Sequence, residues 1–293
     1  MTSTTSSGPQ PAQVSVSELR CVVDLARCAP SVDNTQPWTW RLDPAGLDLW
    51  ADRSRGLPLA DPLGRDLVIS CGAALHHALV AAESLGLGAE VVRRPDDSTP
   101  DLLATIRFFP TVVQPNSAEI KRSIQERHTD RRRFTEWPVP EARVEGLAVA
   151  AQAWDASGVT LVDPGLRQHV ALLAERAGRS RLGGRRLDAN QNFWPSDGLL
   201  AICTAYDDAS SWLAAGVALS AMWLQATREG LSVVPLCRVV EVPSTRRALE
   251  DALAIPGVHV QALVRLGWQP IGRDASGRTP RRPLDDVLRE GTP

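Results

Sequence analysis

A repeated pattern of glycine, alanine and leucine constrains the fold more than any other feature of this chain. Five positions of one apolar segment recur in a second segment 144 residues later without a gap: Gly72, Leu75, Ala82, Gly86 and Leu87 correspond to Gly216, Leu219, Ala226, Gly230 and Leu231. Two alanine-rich helices can share such residues by chance, but the common Gly-Leu end and the constant register favour duplication. Because the offset is about half of the 293 residues, we expect two similar halves about a pseudo-twofold axis, as in a fused homodimer.

Hydrophobic periodicity along the chain alternates between helices and short strands. Helices are predicted at 16–28, 67–85, 117–127, 140–154, 167–179 and 210–229. Strands are predicted at 38–42, 47–51, 89–93, 105–109, 159–162, 199–204 and 260–267. The pattern predicts an α+β fold with mostly antiparallel sheets flanked by helices. We expect a disordered leader at 1–15, a first half at 16–115, and a second half with a C-terminal extension at 116–293.

Charge and cysteine content argue against several classes of protein. The formal net charge is −2, so neither a nucleic-acid-binding tail nor a membrane-surface patch is indicated. No apolar run reaches the ~18 residues of a membrane span, and Met1–Gln13 lacks the features of a signal peptide. The five cysteines include no Cys-x-x-Cys pair, so neither disulfides nor a metal site is expected. We therefore expect a cytoplasmic protein that binds neither nucleic acid nor membrane.

The loop Ala29-Pro30-Ser31-Val32-Asp33-Asn34-Thr35-Gln36-Pro37-Trp38 follows a predicted helix and precedes a predicted strand. Its two prolines restrict the backbone, and Ser31, Asn34 and Gln36 present short hydrogen-bonding groups. Such a loop suits a flat polar ring with donors and acceptors on its edge. The alternative is an ordinary turn that contains asparagine and proline.

Two arginine-rich segments are candidate anion sites. Within Arg127–Phe134, Arg127, Thr129 and Arg131 alternate, so in an extended chain they project to one side and could clamp a phosphate. The alternative is a solvated run of charge. A second segment, Arg278–Pro283, contains Arg281 and Arg282 and could complete the site, although a solvated tail explains it equally well.

Together these segments resemble the nitroreductase family. In most of that family an Arg-x-Ser-x-Arg-x-Phe element precedes the Ala-Pro-Ser loop. Here the loop comes first, at 29–38, and Arg-x-Thr-x-Arg follows at 127–131, which resembles the Acg-like branch, where one chain corresponds to a whole dimer. The resemblance extends from about Leu19 to Leu288. Further matching segments lie at 61–65, 70–77, 212–216, 230–236, 261–267 and 279–283.

The resemblance implies a nitroreductase-like fold with two fused halves, FMN as cofactor and NAD(P)H as reductant. It places the FMN phosphate against Arg127, Thr129 and Arg131, with Arg281 or Arg282 in support. It places the ribityl chain and ring against Pro30, Ser31, Asn34 and Gln36. The isoalloxazine edge would lie along Val234, Pro235 and Leu236.

The implied reaction passes electrons from NAD(P)H through the flavin to a nitroaromatic, quinone or related small molecule, in ping-pong order. Because the cofactor carries this chemistry, no catalytic side chain is predicted, and His76 and His77 are interpreted as core histidines. One full set of motifs predicts one flavin per chain. A fused pseudo-dimer favours a monomer over a homodimer.

Two departures from the Acg-like pattern leave alternatives open. Asp33 stands where the branch usually has histidine, and the segment Ser180–Gly198 is shorter than the lid-like segment of relatives. An acid near a phosphate would weaken binding unless it points to solvent or pairs with an arginine. A short segment would leave the flavin more open or the pocket incomplete. The alternatives to an oxidoreductase are an FMN store without significant turnover and a flavin-free interaction protein.

Overall fold

The computed structural model describes residues 14–43, 46–179, 194–270 and 279–290. Most of the predicted leader, the tip of the first hairpin, the greater part of the Ser180–Gly198 segment and the start of the C-terminal tail lie outside the described residues. The described helices are α1 (Val16–Ala26), α2 (Arg65–Ser84), α3 (Ser117–Glu126), α4 (Glu141–Ala150), α5 (Pro164–Arg179), α6 (Ala209–Arg228), α7 (Cys237–Glu241), α8 (Pro243–Leu253) and α9 (Leu284–Val287). The described strands are β1 (Trp38–Asp43), β2 (Gly46–Ala51), β3 (Leu87–Arg93), β4 (Leu102–Pro110), β5 (Ala156–Thr160), β6 (Gly198–Thr204), β7 (Leu231–Pro235), β8 (His259–Trp268) and β9 (Leu288–Glu290).

The described strands form two sheets that repeat one topology. The first sheet has the order β3-β4-β2-β1-β9, and the second has the order β5-β6-β8-β7. When the second is read from β7, its order β7-β8-β6-β5 follows the same path as β3-β4-β2-β1, with α6 in the place of α2. Neighbouring strands are antiparallel except β1 and β9, which are parallel. The predicted α+β class with mostly antiparallel sheets is confirmed.

The two long helices of the repeat, α2 and α6, pack against each other through glycines. A Cβ atom on Gly72 would collide with the carbonyl oxygen of Leu213, and a Cβ atom on Gly216 would collide with that of Ile69. Each glycine therefore meets the residue three positions before the other glycine. Reciprocal contacts of this kind are those of an isologous interface. They support duplication, while the division of the chain at 115/116 stays a prediction.

Helix α2 is the centre of the first half. It is long and apolar enough to cross a membrane by composition, but 72% of its apolar window is buried inside the protein. It packs on one side against the first sheet, where Trp38, Trp40, Leu47 and Leu49 are fully buried, and on the other against α6. The helix is therefore the core of a two-layer arrangement.

The C-terminal segment crosses back to the first half. Its strand β9 extends the first sheet beside β1. Arg55 Nη2 donates to the backbone oxygen of Asp286 at 2.9 Å, and Arg20 pairs with Asp285 at 3.1 Å. Residues 279–283, which precede α9, are thereby held against the loop that precedes β1.

The periodicity of the sequence does not predict β7, α7 or α8. Strand β7 has five residues and α7 has five, so neither is long enough to show a period. Helix α8 begins with a proline at its first position and has only Thr245 and Leu249 buried, which gives a weak apolar stripe.

Candidate functional site

A cavity of about 480 Å³ is lined by residues of both long helices, α2 and α6, and of the segments around them. Its walls are the loop before β1, the first turns of α2, the segment after α3, one side of α6, the end of β7 with α7, the adjoining part of β8, and residues near 280. This volume is typical of a small-molecule site. The structure brings together nine of the twelve predicted site residues around it: Pro30, Ser31, Asn34, Arg127, Thr129, Arg131, Val234, Pro235 and Arg281.

The other three predicted residues do not line this cavity, although they support residues that do. Gln36 is 3% exposed, and its Oε1 accepts the backbone N–H of Arg282 at 2.8 Å. Leu236 is fully buried, and its backbone N–H donates to the oxygen of Leu263 at 2.7 Å. Gln36 and Arg282 thus join the loop to the C-terminal segment, and Leu236 fixes the start of α7.

Backbone strain is concentrated in the loop before β1. Asp33, Asn34 and Gln36 have φ values of 47°, 57° and 51°, a region that costs about 1–2 kcal/mol for a residue other than glycine. Two hydrogen bonds hold the loop: Gln36 N–H donates to Ser31 Oγ at 3.0 Å, and Val32 N–H donates to a hydroxyl of α2 at 3.1 Å. The polar groups of the loop are therefore preorganised at the cavity wall.

Residues 280 and 281 of the C-terminal segment hold the same loop through hydrogen bonds. Asn34 Nδ2 donates to the backbone oxygen of Pro280 at 3.0 Å, and Arg281 Nη1 donates to Asn34 Oδ1 at 3.1 Å. Arg281 Nη2 also donates to the backbone oxygen of Cys28 at 3.2 Å. Both ends of the Asn34 amide are thereby fixed by residues almost 250 positions away, which sequence spacing alone does not reveal.

Arg127 is a buried cation at the cavity wall. It is 4% exposed, its Nη2 donates to the backbone oxygen of Cys28 at 3.2 Å, and its guanidinium lies 4.9 Å from the ring of Trp223. Its Nε and Nη1 have no hydrogen-bond partner among the described residues. Burial, together with the like charge of Arg281, lowers the pKa of Arg127 to about 9. The group is still charged at neutral pH, so an anion in the cavity would relieve an uncompensated buried charge.

The segment after α3 presents its residues as the predicted alternation requires. Arg127, Thr129 and Arg131 all line the cavity, although Arg127 is buried and Arg131 is exposed at the rim. The intervening Asp130 is fully buried and pairs with Arg132 at 2.5 Å. Burial also lowers the pKa of Arg281. Arg127 is therefore the buried cation of this part of the wall, Arg281 is a partly buried cation near it, and Arg131 adds charge at the edge.

Another part of the wall was not predicted from the sequence and carries charges of both signs. Arg65 Nε donates to Gln261 Oε1 at 3.0 Å, and Arg65 Nη1 pairs with Asp66 at 2.5 Å. Arg238 lies 3.7 Å from Glu241, and both side chains are 7% exposed. Burial lowers the pKa of Arg65 and raises that of Asp66. The segment 61–65 was noted for its resemblance, but nothing in the sequence indicates that Arg65 meets Gln261.

Known proteins similar to this chain include two from Mycobacterium tuberculosis. One, named as a candidate NAD(P)H nitroreductase, is 34% identical over 311 residues, covering 92% of this chain and 90% of the relative. The other, acg, carries the same designation and is 27% identical over 323 residues, covering 94% of this chain and 96% of the relative. A solved nitroreductase with bound FMN from Bacteroides fragilis is 15% identical, has a TM-score of 0.44, and covers 55% of this chain and 93% of its own. No family model matches the chain.

Proposed function

Because this chain belongs to the nitroreductase family, in its Acg-like branch, we propose that it is an FMN-dependent oxidoreductase. It passes electrons from NAD(P)H to a nitroaromatic or quinone-like small molecule. The observation that carries the proposal is Arg127, a buried guanidinium at the wall of a cavity of small-molecule size, with two nitrogens that lack partners among the described residues. The phosphate of FMN is an anion suited to such a group.

The phosphate is proposed to lie against Arg127 and Arg281, with Thr129 and Arg131 beside it. All four residues line the cavity, and the buried Arg127 and the partly buried Arg281 repel each other. Their proximity is unfavourable without an anion and favourable with one. Arg282 contributes through its backbone bond to Gln36 and not through its guanidinium.

The ring and ribityl chain are proposed to lie between the loop before β1 and the end of β7. Pro30, Ser31 and Asn34 line one part of the cavity, and Val234 and Pro235 line another. The loop is already fixed by hydrogen bonds on both sides, so little ordering is needed when a ligand enters. Gln36 and Leu236 hold these two parts of the wall from behind.

When bound, FMN would supply the redox chemistry, accepting a hydride from NAD(P)H and passing electrons to the acceptor. The residues of this chain bind and orient the cofactor and set the charge around it. We assign no catalytic side chain. Asp33 lines the same cavity, and its carboxyl would weaken phosphate binding through space without removing the cationic pair.

The flavin stoichiometry, the cellular location and the oligomeric state are part of the same proposal. We propose one FMN per chain, a soluble cytoplasmic location, and a monomer whose two halves are residues 16–115 and 116–293. The repeated strand order and the reciprocal Gly72 and Gly216 contacts support a fused pseudo-dimer.

Anaerobic reduction tests whether the site supports turnover. NADH and NADPH are added in turn to the FMN-loaded chain while the flavin absorbance is followed, and then a nitroaromatic or a quinone is added. The proposal predicts bleaching by a nicotinamide nucleotide and recovery of the flavin colour by the acceptor. Bound flavin that neither nucleotide reduces would instead identify an FMN store.

A matched pair of variants tests the location of the site. Arg127→Ala should lose most FMN binding. Arg133→Ala should keep it, because Arg133 is an exposed arginine of the same segment that pairs with Glu136 and does not line the cavity. Equal loss of binding in both variants would contradict the proposed site.

A further inference from the structure

Two adjacent histidines on α2 form a buried polar cluster with a serine of α6. Ser220 Oγ lies 2.9 Å from Nδ1 of His76 and 2.9 Å from Nδ1 of His77. Nδ1 of His77 also lies 3.1 Å from the backbone oxygen of Ala73. His77 is fully buried, as expected for a core histidine, but its polar edges require partners.

The contact with the carbonyl of Ala73 favours one tautomer of His77. A carbonyl oxygen only accepts, so Nδ1 of His77 carries the hydrogen that is donated towards Ala73. Burial, together with the charge of Arg127, lowers the pKa of His77 well below its ordinary value, so the ring is neutral. Nε2 of His77 is therefore a bare acceptor, and it has no hydrogen-bond partner among the described residues. The Ser220 hydroxyl is then free to donate to Nδ1 of His76.

The unpaired acceptor of His77 and the unpaired donors of Arg127 are connected through the residues of α6 and α2 that each contacts. Ala73, which accepts from His77, lines the cavity together with Arg127. Trp223, one helical turn after Ser220, holds the guanidinium of Arg127 over its ring. Arg127 also lowers the pKa of His77 more than His76 does. The ring centroids of the two histidines are 6.5 Å apart. A lone-pair nitrogen and two N–H groups, all without partners among the described residues, thus share one buried region.

We propose that His77 is a positioning residue for the anion site: its neutral Nε2 accepts a hydrogen bond from the guanidinium of Arg127 through one water. The bond fixes the orientation in which Arg127 meets a phosphate. A neutral acceptor suits this role because it orients the guanidinium and leaves its charge for the ligand. A carboxylate in the same place would neutralise Arg127 and compete with the phosphate.

Ser220 and His76 complete the arrangement by holding the tautomer of His77. If Nδ1 lost its hydrogen, Nε2 would become a donor and would face the donors of Arg127. The bond that His77 donates to the carbonyl of Ala73 already disfavours that tautomer, and the Ser220 hydroxyl, which donates to His76, adds to this effect. The effect of His76 is therefore smaller than that of His77.

The affinities of FMN and riboflavin test the proposal, which rests on the proposed function because the phosphate is that of FMN. Both are titrated against the chain by quenching of flavin fluorescence. In His77→Leu the affinity for FMN should fall about tenfold or more, whereas the affinity for riboflavin, which lacks the phosphate, should change less than about threefold. His77→Gln, which retains a neutral acceptor, should recover most of the preference for FMN.

The matched control is His76→Leu, on the same helix and bonded to the same serine. It should keep the preference for FMN over riboflavin within about threefold of the unmodified chain, because Ala73 still fixes the tautomer of His77. Equal losses for FMN and riboflavin in His77→Leu would show a merely structural role and overturn the proposal. An unchanged preference for FMN would overturn it too.

A measurement on the unmodified chain remains decisive if His77→Leu does not fold. Nitrogen-15 NMR of histidine-labelled protein should show Nδ1 of His77 protonated and Nε2 unprotonated, and the Nε2 resonance should move in Arg127→Lys. A protonated Nε2 would overturn the proposal. If the unmodified chain binds neither FMN nor riboflavin, the proposed function fails as well. If it prefers FMN and His77→Leu keeps that preference, only the role of His77 fails.

Discussion

Replacing Arg127 by methionine should weaken FMN binding and at the same time stabilise the flavin-free chain. Arg127 is 4% exposed and forms no ion pair with any of the described residues. The like charge of Arg281 further disfavours its charged form. Methionine keeps a long flexible side chain against Trp223 and removes the charge. Opposite effects on stability and affinity are expected only if the arginine is retained for a ligand.

The magnitude follows from the pKa of Arg127, which burial and the like charge of Arg281 lower from the ordinary value of a guanidinium to about 9. At about 1.4 kcal/mol per pKa unit this corresponds to roughly 5 kcal/mol against the charged form in the folded chain. The lost cation–π contact and the bond to Cys28 offset about 2 kcal/mol of it. The folded pKa is the lower one, so the penalty is fully present at pH 7 and declines only as the pH rises through about 9. A net stabilisation of about 2–3 kcal/mol is expected at pH 7.

Urea unfolding of the flavin-free chain, together with an FMN titration, measures both effects. Arg127→Met should raise the free energy of unfolding by about 2–3 kcal/mol and weaken FMN binding by about 100-fold, as for the loss of charged hydrogen bonds. Arg133→Met is the control and should change neither property appreciably. A flavin-free Arg127→Met chain that is less stable than the unmodified one, or that binds FMN equally well, would refute the reasoning.

Three further changes follow from the same structure. Gly72→Ala should lower the free energy of unfolding by about 1–3 kcal/mol, because its methyl group would meet the backbone of α6. The control is Gly146→Ala, at an exposed helical site with no atom within 4 Å, which should not lower it. Equal effects of the two substitutions in thermal melts would contradict the close helix packing. Asp33→His should tighten FMN binding about threefold or more by removing a negative charge from the cavity wall; weaker binding in the titration would contradict this. Burial raises the pKa of Cys203 to about 12, so iodoacetamide at pH 8 should modify the exposed Cys21 and spare the buried Cys203, as peptide mass analysis would show; rapid modification of Cys203 would contradict its burial.

The repeat predicted more of the fold than the local periodicity did. Its constant offset led to the expectation of two similar halves, and the structure shows the same strand order in both sheets and reciprocal contacts of Gly72 and Gly216. Glycines of this kind are informative because only a residue without Cβ permits such close backbone approach. Short elements such as α7 left no comparable pattern in the sequence.

The predicted part of the site comes from contiguous motifs, and the missing part comes from tertiary packing. Pro30, Ser31 and Asn34 belong to one short loop, so these residues of a single sequence motif lie together on the cavity wall. Arg65 and Gln261 are 196 positions apart, and only the packing of the two halves brings them together. A single sequence contains no signal for such a pair.

The predicted site residues that do not line the cavity show that a sequence motif does not specify which of its side chains face a site. Gln36 belongs to the loop motif, but its left-handed backbone turns its side chain towards the C-terminal segment. Leu236 follows two cavity residues, yet it is fully buried at the start of α7. Side-chain direction depends on backbone angles that the motif does not specify.

The most direct test of the central claim is an equilibrium titration of the purified chain with FMN, followed by quenching of flavin fluorescence. The cavity lined by residues of α2 and α6 predicts saturable binding that reaches one FMN per chain and is largely lost in Arg127→Ala. Absence of quenching, or binding that Arg127→Ala leaves intact, would contradict the proposal that this cavity is the flavin site.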